Sequence, residues 1–473
     1  MLDTLEASGP FLFFEQFRVP YKVRPADDPV VWFRGGGSTR WLRWAAGSRR
    51  GAFRLGTTPI FGGTMPDEDA HERLGGGWTG GEPISDGEGN HVAHVWRDGD
   101  GNIFLPFDPN EVIHNFWSEG YHGISEPSHA ARILRVGKTP YYKLRPLLPR
   151  RLQIAMRRRF SRVQAKSAFP AWPAETGLDD FYAFLFDLAG ELAGGPIPWI
   201  APWPDGHAWA MVLTHDVETD VGYRNMDPLC EIEAATGYRS SWNLVPGRYE
   251  VDDDLVRDLL ERGFEVGAHS MRHDGLEFSS REALDTWLPD MHVYARRWGA
   301  VGFRSPSTNR VWELMPLTGF DYDSSYPDSD PFEPTPGGCC SWLPYFNDRQ
   351  VELPVTLPQD HLVFVILERR DEGLWVEKAE LLRRKGGMAL MIVHPDYMLE
   401  SERLDAYRRY LERFASDDTA WRALPREVSA WWRRRAASTL VRSGGAWRVR
   451  GPAAGEARIR YGTEAEERHD RAA

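Results

Sequence analysis

Residues that can bind a metal ion or transfer protons follow a short apolar run in the middle of this chain. Residues 210–213 are apolar and lead into 214–218 (THDVE). This pattern is typical of a buried parallel strand whose carboxyl end opens into an active site, although solvated acids at a strand end are the alternative. Because strand side chains alternate between faces, Asp216 and Glu218 should share one face, where a cation or a shared proton would relieve their repulsion.

Three later apolar runs end in the same kinds of residue. In parallel α/β sheets and barrels, ligands bind at the carboxyl ends of the strands, so four such ends indicate one site rather than four coincidences. The later runs are 265–270 (EVGAHS), 301–306 (VGFRSP) and 389–395 (ALMIVHP). The candidate residues in these runs or just after them are His269, His273, Arg304 and His394.

Composition excludes several classes of protein. The formal net charge of -12, from 57 basic and 69 acidic residues, argues against a globally basic nucleic-acid binder. Three cysteines, two of them adjacent, give neither a disulfide framework nor zinc-ligand spacing, which favours a reducing compartment. The first ten residues lack the features of a secretory signal, and no run of about 18 apolar residues occurs. The sequence therefore predicts a cytoplasmic protein.

Residues 1–130 are rich in glycine, tryptophan and turn signals and predict a small α+β or mostly β domain, whose role the sequence does not indicate. Strand patterns on both sides of 98–101 (DGDG) predict a hairpin. Asp108 is placed as a helix N-cap, with Glu111 as the returning carboxylate of a capping box. Histidines of this region, at 91, 94 and 114, have no distinctive ligand spacing and are interpreted as structural or surface residues.

A basic stretch separates this region from the rest. Residues 131–170 predict a helical connector, and its segment 145–166 could hold phosphates or lie on an anionic membrane surface. The favoured alternative is a connector helix whose basic face meets the acidic remainder of the protein. At the other end of the chain, 436–473 predicts a hairpin, with strands at 447–450 and 457–461, followed by a charged tail.

Residues 171–435 alternate between strand and helix patterns. Strand–helix alternation with tight loops predicts a parallel sheet, and about seven strands in this length favour an α/β fold, a distorted and incomplete (β/α) barrel. No dinucleotide fingerprint, P-loop or nucleophile elbow stands at a strand–helix junction. The predicted strands are 209–214, 241–245, 264–269, 301–305, 320–324, 361–367 and 388–394.

The order of these motifs resembles the polysaccharide deacetylase family (carbohydrate esterase family 4). The resemblance covers about 208–400 and is most specific in the pair 214–218 and 269–273 (HSMRH), while 304–306 (RSP), 321–330 and 392–395 (IVHP) stand where the third, fourth and fifth family motifs are expected. It implies a distorted (β/α) barrel and one divalent metal ion, usually zinc, with cobalt or nickel as alternatives. It also implies removal of acetyl groups from N-acetylated sugars.

The resemblance also implies roles for single residues. Asp216 matches the general base and Glu218 a metal ligand, although the family has Asp at the second position, and Asp216 could be the ligand instead. Region 321–330 lacks the usual Asp-Trp ending, so no aspartate there is assigned. The remaining roles are metal ligation by His269 and His273, orientation of Asp216 by Arg304, and protonation of the leaving amine by His394.

The chemistry of these side chains agrees with that assignment. One carboxylate and two imidazoles leave open positions on the metal for water and substrate, as in a catalytic zinc site. The sequence therefore predicts a metal-dependent amide hydrolase acting on an N-acetylated sugar or conjugate. Within the cytoplasm, a nucleotide- or lipid-linked sugar would suit it better than a wall polymer. The alternatives are hydrolysis of a non-sugar amide on the same fold and a non-catalytic carbohydrate-binding or scaffold protein.

Overall fold

The computed structural model describes residues 2–124, 169–332 and 335–462. The chain divides into two compact units. The first consists of Met1–Ser128, Thr176–Asp205 and Arg434–Ala473, and the second of His129–Glu175 and Gly206–Arg433. The domain division expected from the sequence differs from this one, because it assigned 176–205 to the barrel. Most of the basic connector and the charged tail at 464–473 lie outside the described residues.

The strands follow one another along the chain in a simple numerical order. They are β1 (Leu2–Ala7), β2 (Lys22–Val23), β3 (Val30–Gly35), β4 (Ser38–Trp44), β5 (Arg49–Leu55), β6 (Thr58–Thr64), β7 (Trp78–Asp86), β8 (His91–Asp98), β9 (Ile103–Leu105), β10 (Pro198–Ile200), β11 (Trp209–Val217), β12 (Ser240–Leu244), β13 (Glu265–Ala268), β14 (Gly302–Phe303), β15 (Tyr322–Asp323), β16 (Tyr345–Asn347), β17 (Gln350–Glu352), β18 (Met388–Val393), β19 (Ala420–Arg422), β20 (Thr439–Ser443), β21 (Ala446–Arg450) and β22 (Ile459–Tyr461).

The α-helices are numbered in the same way. They are α1 (Leu12–Phe17), α2 (Asp67–Leu74), α3 (Pro109–Trp117), α4 (Tyr121–Ile124), α5 (Gly177–Ala193), α6 (Asp220–Arg224), α7 (Asp227–Thr236), α8 (Asp253–Glu261), α9 (Arg281–Trp298), α10 (Gly373–Lys385), α11 (Ser401–Phe414) and α12 (Pro425–Ala436).

The first unit is built on a mostly antiparallel sheet. Within the described residues its strand order is β2-β1-β3-β4-β9-β8-β7-β5-β6, and the parallel pairs are β1/β2 and β4/β9. Aromatic rings of α1 pack on those of α5, with Phe13 and Phe186 centroids 4.7 Å apart. The predicted hairpin at 98–101 is present, since β8 and β9 pair antiparallel. A mostly β N-terminal region is therefore confirmed.

The second unit has the mixed α/β fold that the sequence predicted. Its sheet runs β16-β17-β15-β14-β13-β12-β11-β18 in the described part of the chain, β19 also pairs with β11, and all pairs except β16/β17 are parallel. After β17 the chain turns back toward the far strand, because the amides of Thr356 and Leu357 donate to the Leu390 carbonyl of β18. The result is a curled half-barrel of parallel strands.

One predicted strand is wrong. Residues 361–367 were expected to be a strand, but His361–Ile366 form a π-helix. A short continuous apolar run cannot be assigned to strand or helix by periodicity alone, and here four of its side chains are buried without alternation: Leu362, Val363, Phe364 and Ile366. In the sheet, β17 supplies the strand that this segment does not.

Two local predictions in the first unit are also wrong. The C-terminal hairpin joins β20 to β21 rather than 447–450 to 457–461, because Gly444 and Gly445, with φ of 60° and 83°, form the tight turn that such a hairpin needs. Asp108 does cap α3, accepting from the Asn110 amide at 2.8 Å. Glu111, in contrast, accepts from the Gly63 amide at 3.1 Å and does not complete a capping box among the described residues.

No helix in the described residues combines the length and apolar character needed to cross a bilayer.

Candidate metal centre

Four neighbouring strands bring the candidate site residues to one edge of the second unit's sheet. All side chains of β11 are buried, as expected for a strand with both faces covered. Asp216 lies near its end, and His269, Arg304 and His394 directly follow β13, β14 and β18. Ala268 pairs in register with Phe303, so His269 and Arg304 leave the sheet at the same level.

Glu218, His269 and His273 converge. Their nearest ligand atoms all lie within 4.8 Å of one another. The Glu218 Oε1 atom is 3.1 Å from His273 Nε2 and 3.8 Å from His394 Nε2. The structure therefore brings together the three residues that the sequence selected as metal ligands.

The Nε2 atom of His269 points into this cluster with no hydrogen-bonding partner. The Nδ1 atom of His269 lies 2.9 Å from the Arg304 carbonyl oxygen, which can only accept, so Nδ1 carries the proton and Nε2 presents its lone pair. Among the described residues this buried Nε2 has no hydrogen-bond partner, whereas the buried Nε2 of His273 lies beside the Glu218 carboxylate. Burial is the main cause that lowers the pKa of His269 to about 4, so this ring is neutral.

The loop between the two histidines is held in an unusual backbone conformation. Ser270 and His273 have φ of 68° and 56°, in the left-handed region that non-glycine residues rarely adopt. The Ser270 hydroxyl accepts from the amides of Arg272 and His273, both at 3.2 Å, and donates to the buried carboxylate of Glu277. This turn directs His273 back toward His269, and Glu277 is a supporting residue that the sequence analysis missed.

Asp216 is buried with only one of its oxygens committed. Its Oδ1 accepts from Asn243 Nδ2 at 2.8 Å and from Arg304 Nη1 at 3.1 Å, while Oδ2 lies 3.8 Å from His269 Nε2. Burial by itself would raise the pKa of this carboxyl, but opposing charges, Arg304 foremost, hold it well below its usual range. Asn243, on β12 in register with Asp216, was not predicted, since a single amide in a strand carries no distinctive signal.

Arg304 is fixed by contacts beyond the Asp216 carboxylate. Its Nε donates to the Ser324 carbonyl and its Nη2 to the Ser324 hydroxyl, each at 2.7 Å. Its Nη1 also donates to the Thr214 hydroxyl at 2.7 Å. The guanidinium is therefore an immobile positive charge beside Asp216 rather than one partner of a surface ion pair.

Glu218 is held by residues that follow β18. Its amide donates to Asp396 Oδ2 at 3.0 Å, and the Tyr397 hydroxyl lies 3.5 Å from Glu218 Oε2. Burial would raise the pKa of Glu218, but His273 and His394 hold it well below its usual range. Glu218 is thus ionised, and its neighbour His269 is neutral, which are the states in which these side chains bind metals.

His394 is paired with a carboxylate that the sequence did not identify. Its Nδ1 lies 2.7 Å from Asp360 Oδ1, and its amide donates to Asp360 Oδ2 at 2.9 Å. Burial alone would lower the pKa of His394, but the Asp360 charge leads the contributions that raise it to about 10. Asp360 directly precedes the mispredicted strand, so its position could not be inferred.

The aspartates of 321–330 have other partners. The Ser325 hydroxyl donates to Asp323 at 2.7 Å, and Lys378 Nζ lies 2.8 Å from Asp328 Oδ2 in a buried ion pair. The carboxylate beside His394 Nδ1 is that of Asp360, which lies outside 321–330.

The donors of the Glu218–His269–His273 cluster fit a divalent transition metal. One carboxylate and two imidazoles are the ligand types of catalytic zinc sites. The fit also rests on the partnerless Nε2 of His269, because a buried polar atom without a partner is costly unless something satisfies it. The donors do not distinguish zinc from cobalt or nickel.

Comparison with known proteins gives matches among solved structures alone. No family model matches the chain, and no curated protein matches it. It is similar to a protein from Mycobacterium smegmatis classed as a polysaccharide deacetylase (19% identity, 51% of this chain and 97% of that chain, TM-score 0.42). It is also similar to a protein from Pseudomonas aeruginosa PAO1 that is classed in the same way (16% identity, 51% of this chain and 96% of that chain, TM-score 0.41). A third similar structure is the allantoinase Puue (16% identity, 49% of this chain and 92% of that chain, TM-score 0.40). Polysaccharide deacetylases, the family that the motifs resemble, are thus among the structures similar to this chain.

Proposed function

We propose that the second unit is a metal-dependent hydrolase of a carbon–nitrogen bond, and that it removes the acetyl group of an N-acetylated sugar or sugar conjugate. The observation that carries the proposal is the convergence of Glu218, His269 and His273, in which the buried Nε2 of His269 has no hydrogen-bond partner among the described residues and Nε2 of His273 lies 3.1 Å from Glu218 Oε1. Buried histidine nitrogens are usually paired, and the open Nε2 of His269 is available to a metal ion.

Three residues would hold the metal ion: Glu218, His269 and His273. A divalent cation bound there would lower the pKa of a coordinated water and polarise the amide carbonyl. The unequal environments of the two acids support the division of roles, because Asp216 is held by Arg304 and Asn243, whereas Glu218 faces His273 directly.

Asp216 acts as the general base. It is ionised, and Arg304 and Asn243 occupy Oδ1, which leaves Oδ2 on the side of His269 to accept a proton from the attacking water. The ion pair with Arg304 also keeps the carboxylate aimed, since charge-assisted hydrogen bonds are short and directional.

His394 acts as the general acid. The Asp360 carboxylate beside Nδ1 fixes the ring and favours its protonated form, so Nε2–H can be given to the departing amine. A neutral amine is a far better leaving group than the amide anion, so turnover depends on this proton.

A cleft beside the histidine loop supports a polar substrate. Its volume is about 500 Å³, and its lining includes Arg248, Tyr249 and Tyr294. Gly247, which also lines it, donates its amide to the carbonyl of Met271, between the two histidines, at 3.0 Å. The lining also includes Glu250 and Arg297 but none of the candidate metal ligands, so the cleft would hold a polar part of the substrate away from the reacting amide.

The test combines metal analysis with acetate release. The purified protein and its Asp216→Asn, Glu218→Gln and His269→Ala variants are analysed for metal after zinc loading and dialysis. We expect about one zinc fewer per chain in the Glu218 and His269 variants, and an unchanged content in the Asp216 variant. Loss of metal in the Asp216 variant alone would reverse the two carboxylate roles.

Activity is measured as acetate released from N-acetylglucosamine oligosaccharides and from uridine diphosphate N-acetylglucosamine, with small cyclic and formyl amides in parallel. His292→Ala is the matched control, because this histidine lies on α9 and stacks on Phe320 with the ring centroids 5.2 Å apart. Release that is lost in Asp216→Asn and kept in the control supports the proposal. Turnover of the small amides alone would move the substrate class, and a parent that holds zinc but turns over none of them would favour a binding protein.

A further inference from the structure

A second group of metal-ligating side chains lies in the first unit. Asp67 is the first residue of α2, and His91 and His94 both lie on β8. Their nearest ligand atoms are all within 4.8 Å of one another. All three residues belong to the first unit, so this group is separate from the cluster of Glu218, His269 and His273.

The carboxylate of Asp67 stands between the two rings. Its Oδ2 lies 2.6 Å from His91 Nε2 and 2.7 Å from His94 Nδ1, and the ring centroids are 4.3 Å apart. Its Oδ1 accepts the His94 amide at 2.8 Å, which fixes the carboxylate against the strand. Both imidazole nitrogens are therefore directed at one carboxylate oxygen, and the three ligand atoms are close enough together to share one ion.

A bulge in β8 creates this arrangement. Two residues an odd number of positions apart on a regular strand point to opposite faces, so His91 and His94 should diverge. The pairing between β7 and β8 shifts here, because Ile84 faces Ala93 while the next residue, Ser85, faces His91. The extra residue on β8 brings both histidines to the side of Asp67, as bulges do when they redirect a side chain.

We propose that Asp67, His91 and His94 bind a divalent transition metal ion of the zinc class, and that this ion fastens α2 to β8. Imidazole and carboxylate are zinc's usual nitrogen and oxygen ligands. The ion would take the place of the two protons that now join the rings to Asp67. The side chains of Asp67, His91 and His94 are 22%, 46% and 31% exposed. An ion can therefore enter from solvent, and a water molecule can complete its coordination.

The eight-residue helix α2 needs such support more than a longer helix would. Isolated helices of this length are marginal in water. Its one buried residue is Ala70, which joins Trp96 and Phe104 in a small apolar cluster. Asp67 is the first residue of the helix, so a metal bond from its side chain would fix the amino end of α2 against β8. His71 lies one turn further on, but its ring packs edge-on against Trp96, with centroids 4.4 Å apart, and it is not included among the ligands.

The test is zinc titration of the full chain after removal of metal with a chelator. The parent should bind about two zinc ions per chain. Each of the single variants His91→Ala and His269→Ala should bind about one. His71→Ala, on the same helix, is the matched control and should still bind about two. A zinc content that is unchanged in His91→Ala overturns the second site, whereas one that is unchanged in His269→Ala overturns only the proposed catalytic centre.

Thermal unfolding provides a readout that does not depend on activity. With His269→Ala as the background, zinc should raise the unfolding midpoint, and adding His91→Ala should abolish that rise. Asp67→Asn keeps a side chain of the same shape, and should weaken zinc binding in this background at least about tenfold because the amide is a poorer ligand. Equal zinc affinity with Asn at position 67, or a midpoint that zinc does not change, would mean that the three side chains form only a hydrogen-bonded group.

Discussion

Two buried histidines in the second unit show different ways of satisfying an imidazole. His215 and His269 both lie near the carboxyl ends of strands and are almost inaccessible to solvent. His215 has both nitrogens engaged, with Nδ1 3.0 Å from the Val393 carbonyl and Nε2 2.6 Å from Glu233. His269 engages only Nδ1, and its Nε2 has no hydrogen-bond partner within 2–124, 169–332 and 335–462.

The difference lies in the face of the sheet on which each ring stands. His215 points away from Thr214 and Asp216, stacks on Trp242 at 4.1 Å, and shares Glu233 with the Tyr407 hydroxyl. Both of its nitrogens are therefore paired inside the core, and in the described part of the chain it is Glu233 Oε2 that lacks a hydrogen-bond partner. A buried ring nitrogen without a partner, rather than burial itself, distinguishes His269 from His215.

Replacing His269 should give the largest effect. His269→Ala removes one of three ligands, so we expect about one bound zinc per chain to be lost, and acetate release to fall by at least about 1,000-fold if the site hydrolyses amides as proposed. The variant should remain folded, because this ring has only one hydrogen bond to lose among the described residues. Elemental analysis with circular dichroism on the same sample checks both statements, and a zinc content equal to that of the parent would place His269 with His215 as a structural residue.

Replacing His215 should do the reverse. Among the described residues, His215→Ala leaves the buried Glu233 carboxylate with the Tyr407 hydroxyl alone, and leaving a buried polar group with a missing hydrogen bond typically costs about 1–3 kcal/mol. The free energy of unfolding, measured by urea titration, should fall by that amount while zinc content at the Glu218 cluster stays unchanged. Zinc loss from a folded His215→Ala protein would contradict the division between the two faces.

The sequence predicted the elements at this edge of the sheet better than the contacts between them. Apolar runs located β11, β13 and β18. The alternation of side chains along the sequence of β11 predicted that Asp216 stands on one face of the sheet and His215 on the other. Hydrophobic periodicity and composition predict where an element lies along the chain and on which face of it a side chain stands.

The missed residues share a physical reason. Asn243 and Asp360 act through partners 27 and 34 residues away in the sequence, Glu277 acts through Ser270 across a loop, and no local pattern marks any of the three. Asp360 was further hidden because the following apolar run was interpreted as a strand. The group at Asp67 was missed because the bulge that aligns His91 with His94 arises from pairing with β7, which the sequence of β8 alone does not encode.

Replacing Asp360 should have an intermediate effect. Asp360→Asn keeps a hydrogen-bonding side chain beside His394 Nδ1 but removes its charge, and loss of such an orienting carboxylate typically costs about 10- to 100-fold. We expect acetate release to fall by that factor with bound zinc unchanged, since Asp360 does not contact the Glu218–His269–His273 ligand atoms directly. Asp328→Asn is the control, because Asp328 pairs with Lys378, and it should alter stability rather than turnover of the remaining folded protein.

The smallest effect is expected at the opposite end of β13, where Glu265 resembles His215 in having its partners complete. It accepts from the Tyr322 hydroxyl at 2.7 Å and from the Arg426 amide at 3.0 Å. Burial nevertheless raises the pKa of Glu265 to about 7. A carboxyl whose pKa is higher in the folded than in the unfolded state stabilises the protein at low pH, and this contribution is lost as pH rises through the folded value.

The contribution of Glu265 to the free energy of unfolding should therefore decrease by about 2 kcal/mol between about pH 5 and pH 8. Glu265→Gln cannot titrate and resembles the protonated carboxyl, so the free energies of unfolding of the parent and this variant should be similar near pH 5 and diverge toward pH 8, where the variant should be the more stable. Zinc content should be the same in both, because Glu265 lies at the amino end of the strand that His269 follows. Parallel pH profiles for the two proteins would show that this carboxyl is already ionised in the fold, and that a complete set of partners can outweigh burial.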